Sequence, residues 1–289
     1  MQNATPDGPS AGGPPSPSSG TPVHASAPAA TVSDADVVKR MYEESVESYE
    51  ASITAEELAK PLYTVSVPRL AARASAAATT AAAAAGGDGS AEAAPPGVRI
   101  LDVGCGPGHV LGILSRTAGA SAAPCGSGEA APAPPLPPPP TLIGVDLSPR
   151  MVARARARVP CATVVEGSVL DVGTAIANLP GGGAPFDGLA CLFVLHHVGD
   201  VRAVLGAFRR LLRPGGAVLL ASWVSADGAR MEGYPEQWPI DAVAHQVEVV
   251  NTAAAAAGLR VDAVEETEDQ DMGARFAVWE CTAVEVEGI

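Results

Sequence analysis

The chain has 289 residues, enough for one large domain and its tails. Its 18 basic residues against 32 acidic ones leave a net charge of −14, which repels phosphate backbones and argues against nucleic-acid binding or docking on an anionic membrane. Five widely spaced cysteines with no CxxC pair suggest neither a zinc site nor a disulfide framework, and no unbroken run of about 18 apolar residues suggests a membrane span.

Residues 1–33 are mostly Pro, Ser, Gly and Ala. They cannot bury enough apolar surface to offset the entropy of ordering, and a disordered tail is predicted. The tail lacks arginine, contains Asp7 and has no apolar core. That composition weighs against an organelle-targeting segment, so the expected address is cytoplasmic, with import as the competing reading.

A helical cap is predicted over 34–78. Ser33 and Asp36 offer a helix start in SDAD. Val38, Tyr42, Val46, Tyr49 and Ile53 then recur at spacings of three and four, which puts them on one face. A second helix is expected over 55–78, interrupted near Pro61 and Pro68. Residues 79–97, rich in Ala and Gly and closed by Pro95-Pro96, read as a linker.

From 98 to 289 the pattern changes. The apolar runs VRILDV, TLIGVD, ATVVEG, FDGLACLFVL and AVLLASW alternate with helical periods. Runs without polar alternation fit strands covered on both faces, hence a parallel sheet flanked by helices. Ser148 and Pro149 provide a helix cap and first position. A helix over 200–213 is stopped at Pro214-Gly215-Gly216, another near 241–257 ends at Gly258, and final strands are expected at 259–265 and 275–286. Residues 117–140 carry eight prolines and read as a disordered or polyproline insertion. It joins the first sheet helix to the second strand, which places it at the sheet edge opposite the ligand-binding strand ends. A partner domain that reads PxxP is its alternative use.

The stretch ILDVGCGPGH, 100–109, reads as a strand entering a glycine-dense turn and then a helix. Amides at such a turn favour an anionic or polar ligand, and glycines let the main chain approach it. A dinucleotide and S-adenosylmethionine both suit the arrangement. The dinucleotide pattern GxGxxG needs a glycine at 109, where His109 stands. Asp146, at the end of the next strand, is 40 residues past Gly106. Without the roughly 24-residue insertion the gap is about 16, near the usual distance for a ribose-binding acid.

At these residues the chain resembles the class I S-adenosylmethionine-dependent methyltransferases of the small-molecule branch. ILDVGCGPGH, LIGVDLSPRMVARAR, FDGLACLFVLHHVGD and FRRLLRPGGAVLLASW carry the resemblance, in that order, over about 98–223. It implies an α/β fold with a Rossmann-like, seven-stranded, mostly parallel sheet in the order 3-2-1-4-5-7-6, its last strand antiparallel. It implies S-adenosyl-L-methionine as cofactor and a small molecule as methyl acceptor; the acidic balance argues against nucleic acid, and no third well-spaced ligand joins His196, His197 and Asp200, so no metal is expected. Gly104, Cys105 and Gly106 would face the methionine moiety. Asp102 would orient the turn or reach the amino group through water. Asp146 would take the ribose hydroxyls, helix capping being its competing role, and Leu147 would pack on adenine. Relatives have an acid after the glycine of VVEGSVLDV where Ser168 stands here, so Ser168, Asp171 or the Val169 amide would serve the adenine.

Phe193 ends a strand beside the cofactor, followed by His196 and His197. Either histidine is a candidate proton acceptor, and a structural hydrogen-bonding role is the competing reading. MYEESVESYEAS resembles a segment that folds over the cofactor as a lid in many relatives, which implicates Tyr42 and Tyr49. Ordinary packing of an amphipathic helix competes. Trp223, Tyr234 and Trp238 follow the fifth strand and would suit a flat or apolar acceptor. Protein methylation, a scaffold that binds the cofactor without catalysis, and a nicotinamide enzyme are the rival functions.

Overall fold

The computed structural model describes residues 35–85, 97–117, 139–180, 182–183, 185–228, 242–269 and 274–285. Seven strands form one sheet: β1 Arg99–Val103, β2 Thr141–Asp146, β3 Thr163–Glu166, β4 Phe186–Leu192, β5 Leu212–Val224, β6 Leu259–Asp269 and β7 Ala274–Ala283. Their order is β3-β2-β1-β4-β5-β7-β6. The first five run parallel, and β7 is antiparallel to both β5 and β6. This is the expected Rossmann-like topology.

Strand alternation assigns each residue of β1 to a face. Leu101 and Val103 join the core that contains Val204, Leu205 and Phe208 of helix α8 (Val201–Leu211). Ile100 joins the opposite core, with Leu111 and Leu114 of helix α5 (His109–Thr117). Asp102 therefore lies on the Ile100 side, buried in a strand with sheet on both flanks. Helix α5 ends at Thr117 and β2 begins at Thr141, so the Pro-rich insertion is anchored at the edge where the parallel strands start. Residues 118–138 of it lie outside the described residues, as do the tail, residues 86–96 and residues 229–241 with Tyr234 and Trp238.

The N-terminal region divides differently from the expectation of one cap and a linker. Helices α1 (Ala35–Glu44) and α2 (Val46–Ser52) lie over the ends of the strands, and α3 (Ala55–Leu58) follows. A π-type turn, Leu62–Ser66, leads into α4 (Val67–Ala85), which passes Pro68 without a break. The wider turn absorbs the missing proline donor. Helix α4 packs on β4, β5 and α5 and extends into the stretch read as linker. Ala71, Ala74 and Ala78 recur on its buried face. A Cβ on Gly188 of β4 would stand 3.0 Å from the Ala74 Cβ, so small residues on both sides allow the helix to press onto the sheet. Among the described residues no helix is long and apolar enough to cross a membrane.

Candidate functional site

At the carboxyl end of β1 the chain turns sharply, and the Gly104 and Cys105 amides both donate to the Val145 carbonyl, at 2.7 and 3.0 Å. Gly104 and Gly106 have φ of 72° and 51°, which side chains rarely adopt. Their surroundings differ. A Cβ on Gly104 would stand 2.2 Å from Val194 Cγ2, whereas one on Gly106 meets nothing closer than Tyr49 Cε1 at 3.9 Å. Gly104 is small because Val194 packs on it. Gly106 is the residue whose bare main chain faces open space. Gly108, where a Cβ would meet Ala155 at 3.0 Å, serves packing against helix α6 (Pro149–Arg158).

Asp146 sits opposite this turn. Its carboxylate accepts from the Gly106 amide at 2.8 Å and the Ser148 amide at 2.9 Å. Burial pushes its pKa up, and the amides of Ser148, Gly106 and Leu147 pull it partly back. The capping alternative does not hold, because the Ser148 hydroxyl caps α6 by accepting from the Met151 amide. A carboxylate offers about four acceptor sites, so Asp146 braces the turn and retains capacity toward the cavity that it lines.

Asp102 lies beneath the turn, 1% exposed, and its Oδ2 has no hydrogen-bond partner among the described residues. Burial, and then the neighbouring Asp146 charge, push its pKa up to about 8. Two buried carboxylates with no cation between them favour a ligand that brings positive charge. Cys105 is not part of this arrangement. Its thiol is buried beside Gly144 and Leu111, and burial pushes its pKa well up. Only its main chain contributes to the turn.

A cavity opens at the strand ends. It brings together Gly104, Gly106, Asp146 and Leu147 with Ser168 and Val169 at one end, and Phe193, His197, Tyr42 and Tyr49 at the other. The Ser168 hydroxyl accepts from the Leu170 amide and caps the short turn Val169–Asp171, which leaves its own proton to donate. Asp171 does not line the cavity. Phe193 has φ of 56°, a strained conformation for a bulky residue that is seen mostly at functional positions. Tyr42 and Tyr49 meet edge to face at 6.1 Å and wall the cavity, and Tyr42 also packs against the small core of Val38, Met41 and Ala242.

The two histidines diverge. His197 lines this cavity, and its Nε2 lies 2.9 Å from the Tyr42 hydroxyl. His196 is 2% exposed, lies against His197 with ring centres 4.0 Å apart and lines a second cavity. Burial lowers the pKa of both, that of His197 to about 4. Trp223 belongs to the second cavity, not the first, and Tyr42, Tyr49 and Phe193 wall both. Among the described residues no cluster of His, Cys, Asp and Glu has a geometry for a metal.

Sequence reasoning missed Tyr63, which lines the second cavity, and His245. The His245 Nε2 lies 3.0 Å from the carbonyls of both Leu195 and Val198, and so clasps the turn that carries the two histidines. Neither residue belongs to a motif. The only signal for His245 was an isolated histidine at a helix start.

The pattern of the methyltransferase-domain family matches residues 67–260. Over 134 residues the chain is 31% identical to the ubiquinone biosynthesis O-methyltransferase of Xanthomonas campestris, 46% of each chain. Over 127 residues it is 34% identical to an uncharacterized 37.1 kDa protein of a Streptomyces fradiae transposon, 44% of this chain and 30% of that one. The matched stretch thus spans less than half of either relative. Among solved structures, the magnesium protoporphyrin IX methyltransferase of Synechocystis with bound SAM superposes with a TM-score of 0.51 at 15% identity. That match covers 88% of this chain and 98% of the other. The match starts at α4 and takes in the glycine turn, Asp146 and both histidines, and the chain belongs to the methyltransferase-domain family.

Proposed function

We propose that this member of the methyltransferase-domain family moves a methyl group from S-adenosyl-L-methionine to a small-molecule acceptor. The observation that carries the reading is the buried Asp102, whose Oδ2 has no hydrogen-bond partner among the described residues, next to Asp146, which lines the cavity with Gly106. A ligand with a cationic end and a ribose diol suits that set. Asp102 attracts the positive end, the Gly104–Gly106 main chain leaves room for it, and Asp146 accepts from the hydroxyls. Leu147 and Val169 sandwich a flat base, and Ser168 meets its edge. Tyr42 and Tyr49 close over the ligand and exclude water.

The cofactor supplies an already activated methyl group. The protein's part is alignment, water exclusion and, where the acceptor carries a proton, somewhere for that proton to go. The proposed division of the chain is a cap over 35–52 and a transferase domain that begins at α4.

Calorimetric titration with S-adenosylhomocysteine tests the reading. Saturable heat is expected with this compound and none with NADH. Heat with NADH alone would favour the nicotinamide alternative. Asp146→Ala leaves the Gly106 and Ser148 amides without their acceptor as well as any ribose diol. A loss of about 1–3 kcal/mol in binding is expected, and unchanged affinity would remove Asp146 from the site.

A further inference from the structure

We infer that the second cavity takes a flat, uncharged hydroxyaromatic acceptor whose hydroxyl proton leaves through Tyr42 to Nε2 of His197. The inference rests on the methyl-transfer reading above and names its acceptor class.

Three observations carry it. The first is shape. Tyr42, Tyr49, Tyr63, Phe193 and Trp223 all line the second cavity. Phe193 and Trp223 lie 5.2 Å apart, and Phe276 braces Trp223 at 6.0 Å. Aromatic walls of this kind favour a planar apolar guest.

The second is charge. The charged residues that line the cavity are Glu57, Lys60 and Asp269. Lys60 lies 2.5 Å from Glu57 and 3.3 Å from Asp269. Among the described lining residues two carboxylates stand against one ammonium, so an anionic acceptor meets repulsion. A protonated amine has no lone pair with which to attack.

The third is the junction. Tyr42 walls both cavities, and its hydroxyl meets His197 Nε2 where they adjoin. A methylated amine can keep its proton as a stable ammonium ion. A methylated hydroxyl becomes an oxonium and must lose its proton, so a paired phenol and imidazole at this point serve a hydroxyl acceptor. In the step, an acceptor lone pair forms the new O–C bond while the C–S pair leaves with sulfur. The O–H pair stays on the acceptor oxygen, and its proton passes to the Tyr42 oxygen as the Tyr42 proton moves to His197. The positive charge that began on sulfur ends on the imidazole. Burial keeps His197 neutral beforehand.

The test uses the full chain loaded with S-adenosylhomocysteine and three probes: naphthol, naphthylmethylamine, whose aliphatic amine is protonated at neutral pH, and naphthoate. Tryptophan fluorescence reports binding, and Trp223→Phe should abolish the change. With the active cofactor, methylation of naphthol in preference to naphthylmethylamine, with naphthoate excluded, supports the inference. Preference for naphthoate or naphthylmethylamine, or no binding of any probe to protein that holds S-adenosylhomocysteine, overturns it. Protein that does not hold S-adenosylhomocysteine overturns the underlying reading instead. His197→Gln keeps an acceptor for the Tyr42 hydroxyl but takes no proton. It should bind both ligands as before and methylate naphthol about 100-fold more slowly or worse. Unchanged turnover would reduce the pair to a structural hook.

Discussion

Asp102 is a buried carboxylate whose Oδ2 has no hydrogen-bond partner among the described residues, and its cost to the ligand-free fold can be measured. Its pKa rises from 3.8 unfolded to about 8 folded. Between those values the folded state holds a proton that the unfolded state has lost, so its contribution to stability falls as pH rises through that window. Asp102→Asn keeps the shape without the ionisation. It should match the parent near pH 4, where both are neutral, and melt at a higher temperature near pH 8, while cofactor binding weakens. Melting curves at the two values decide it, and an equal or lower melting temperature for the variant near pH 8 would contradict the burial argument. The carboxylates, the glycine turn and His197 were legible as a motif because each sits at a strand end in a fixed order. The separate duties of Gly104 and Gly106 were not, since only the fold shows that Val194 packs on one and Tyr49 faces the other. Cys105 contributes to the turn through its main chain alone, and spacing gives position along the turn, not the direction of a thiol.

At the scale of elements, the cap is held to the domain largely by exposed ion pairs. Lys39 of α1 pairs with Glu166 of β3. On α2, Glu47 pairs with Arg150 and Arg154, and Glu50 with Arg154 and Arg158 of α6. Arg158 also donates to the Pro107 carbonyl and so ties the cap to the glycine turn. The apolar part of the contact packs Val38 and Met41 against Ala242, joined by Val37, Tyr42 and Leu147. Screening shortens from about 10 Å at 0.1 M salt to about 3 Å at 1 M, so opening of the cap should be salt-sensitive. The release rate of S-adenosylhomocysteine, followed by stopped flow, should rise with salt. Glu50→Lys should release faster at low salt, and Arg158→Glu in the same protein should restore part of the difference. A salt-independent rate would mean that the cap is not latched by charge. The strands of the sheet were readable from their apolar runs. Helix α4 was not, because a run of alanines and small polar residues has the composition of a linker. What makes it an element is Gly188 beneath it, a contact that sequence periodicity does not report.

For the whole molecule, acid is the expected weakness. His196, His197 and His245 are held neutral by burial, with pKa values below the unfolded value of 6.5. Groups depressed in this way contribute stability above pH 6.5 and lose it as pH falls toward the folded value, about 4 for His197. For His197 alone that is roughly 3 kcal/mol by linkage. In Asp102→Asn protein, which lacks the opposing Asp102 titration, urea midpoints should therefore drop from pH 6.5 to 4.5, and a further His245→Asn change, which still has a donor for the Leu195 and Val198 carbonyls, should flatten part of the drop. A midpoint constant over that range would show that these imidazoles are hydrated. The fold as a whole followed from the order of four motifs. The second cavity did not, because its walls come from α2, the π-type turn and β5, which are remote in sequence and meet only when the cap is placed.

The central claim is that Gly106, Asp146 and Asp102 hold one sulfonium nucleoside between them. A crystal structure of the full chain soaked with S-adenosylhomocysteine tests it most directly. The ribose hydroxyls are expected on Asp146, the base between Leu147 and Val169, and the amino group on the Asp102 side of the glycine turn. The nucleoside bound elsewhere, or bound here with its ribose away from Asp146, would contradict it.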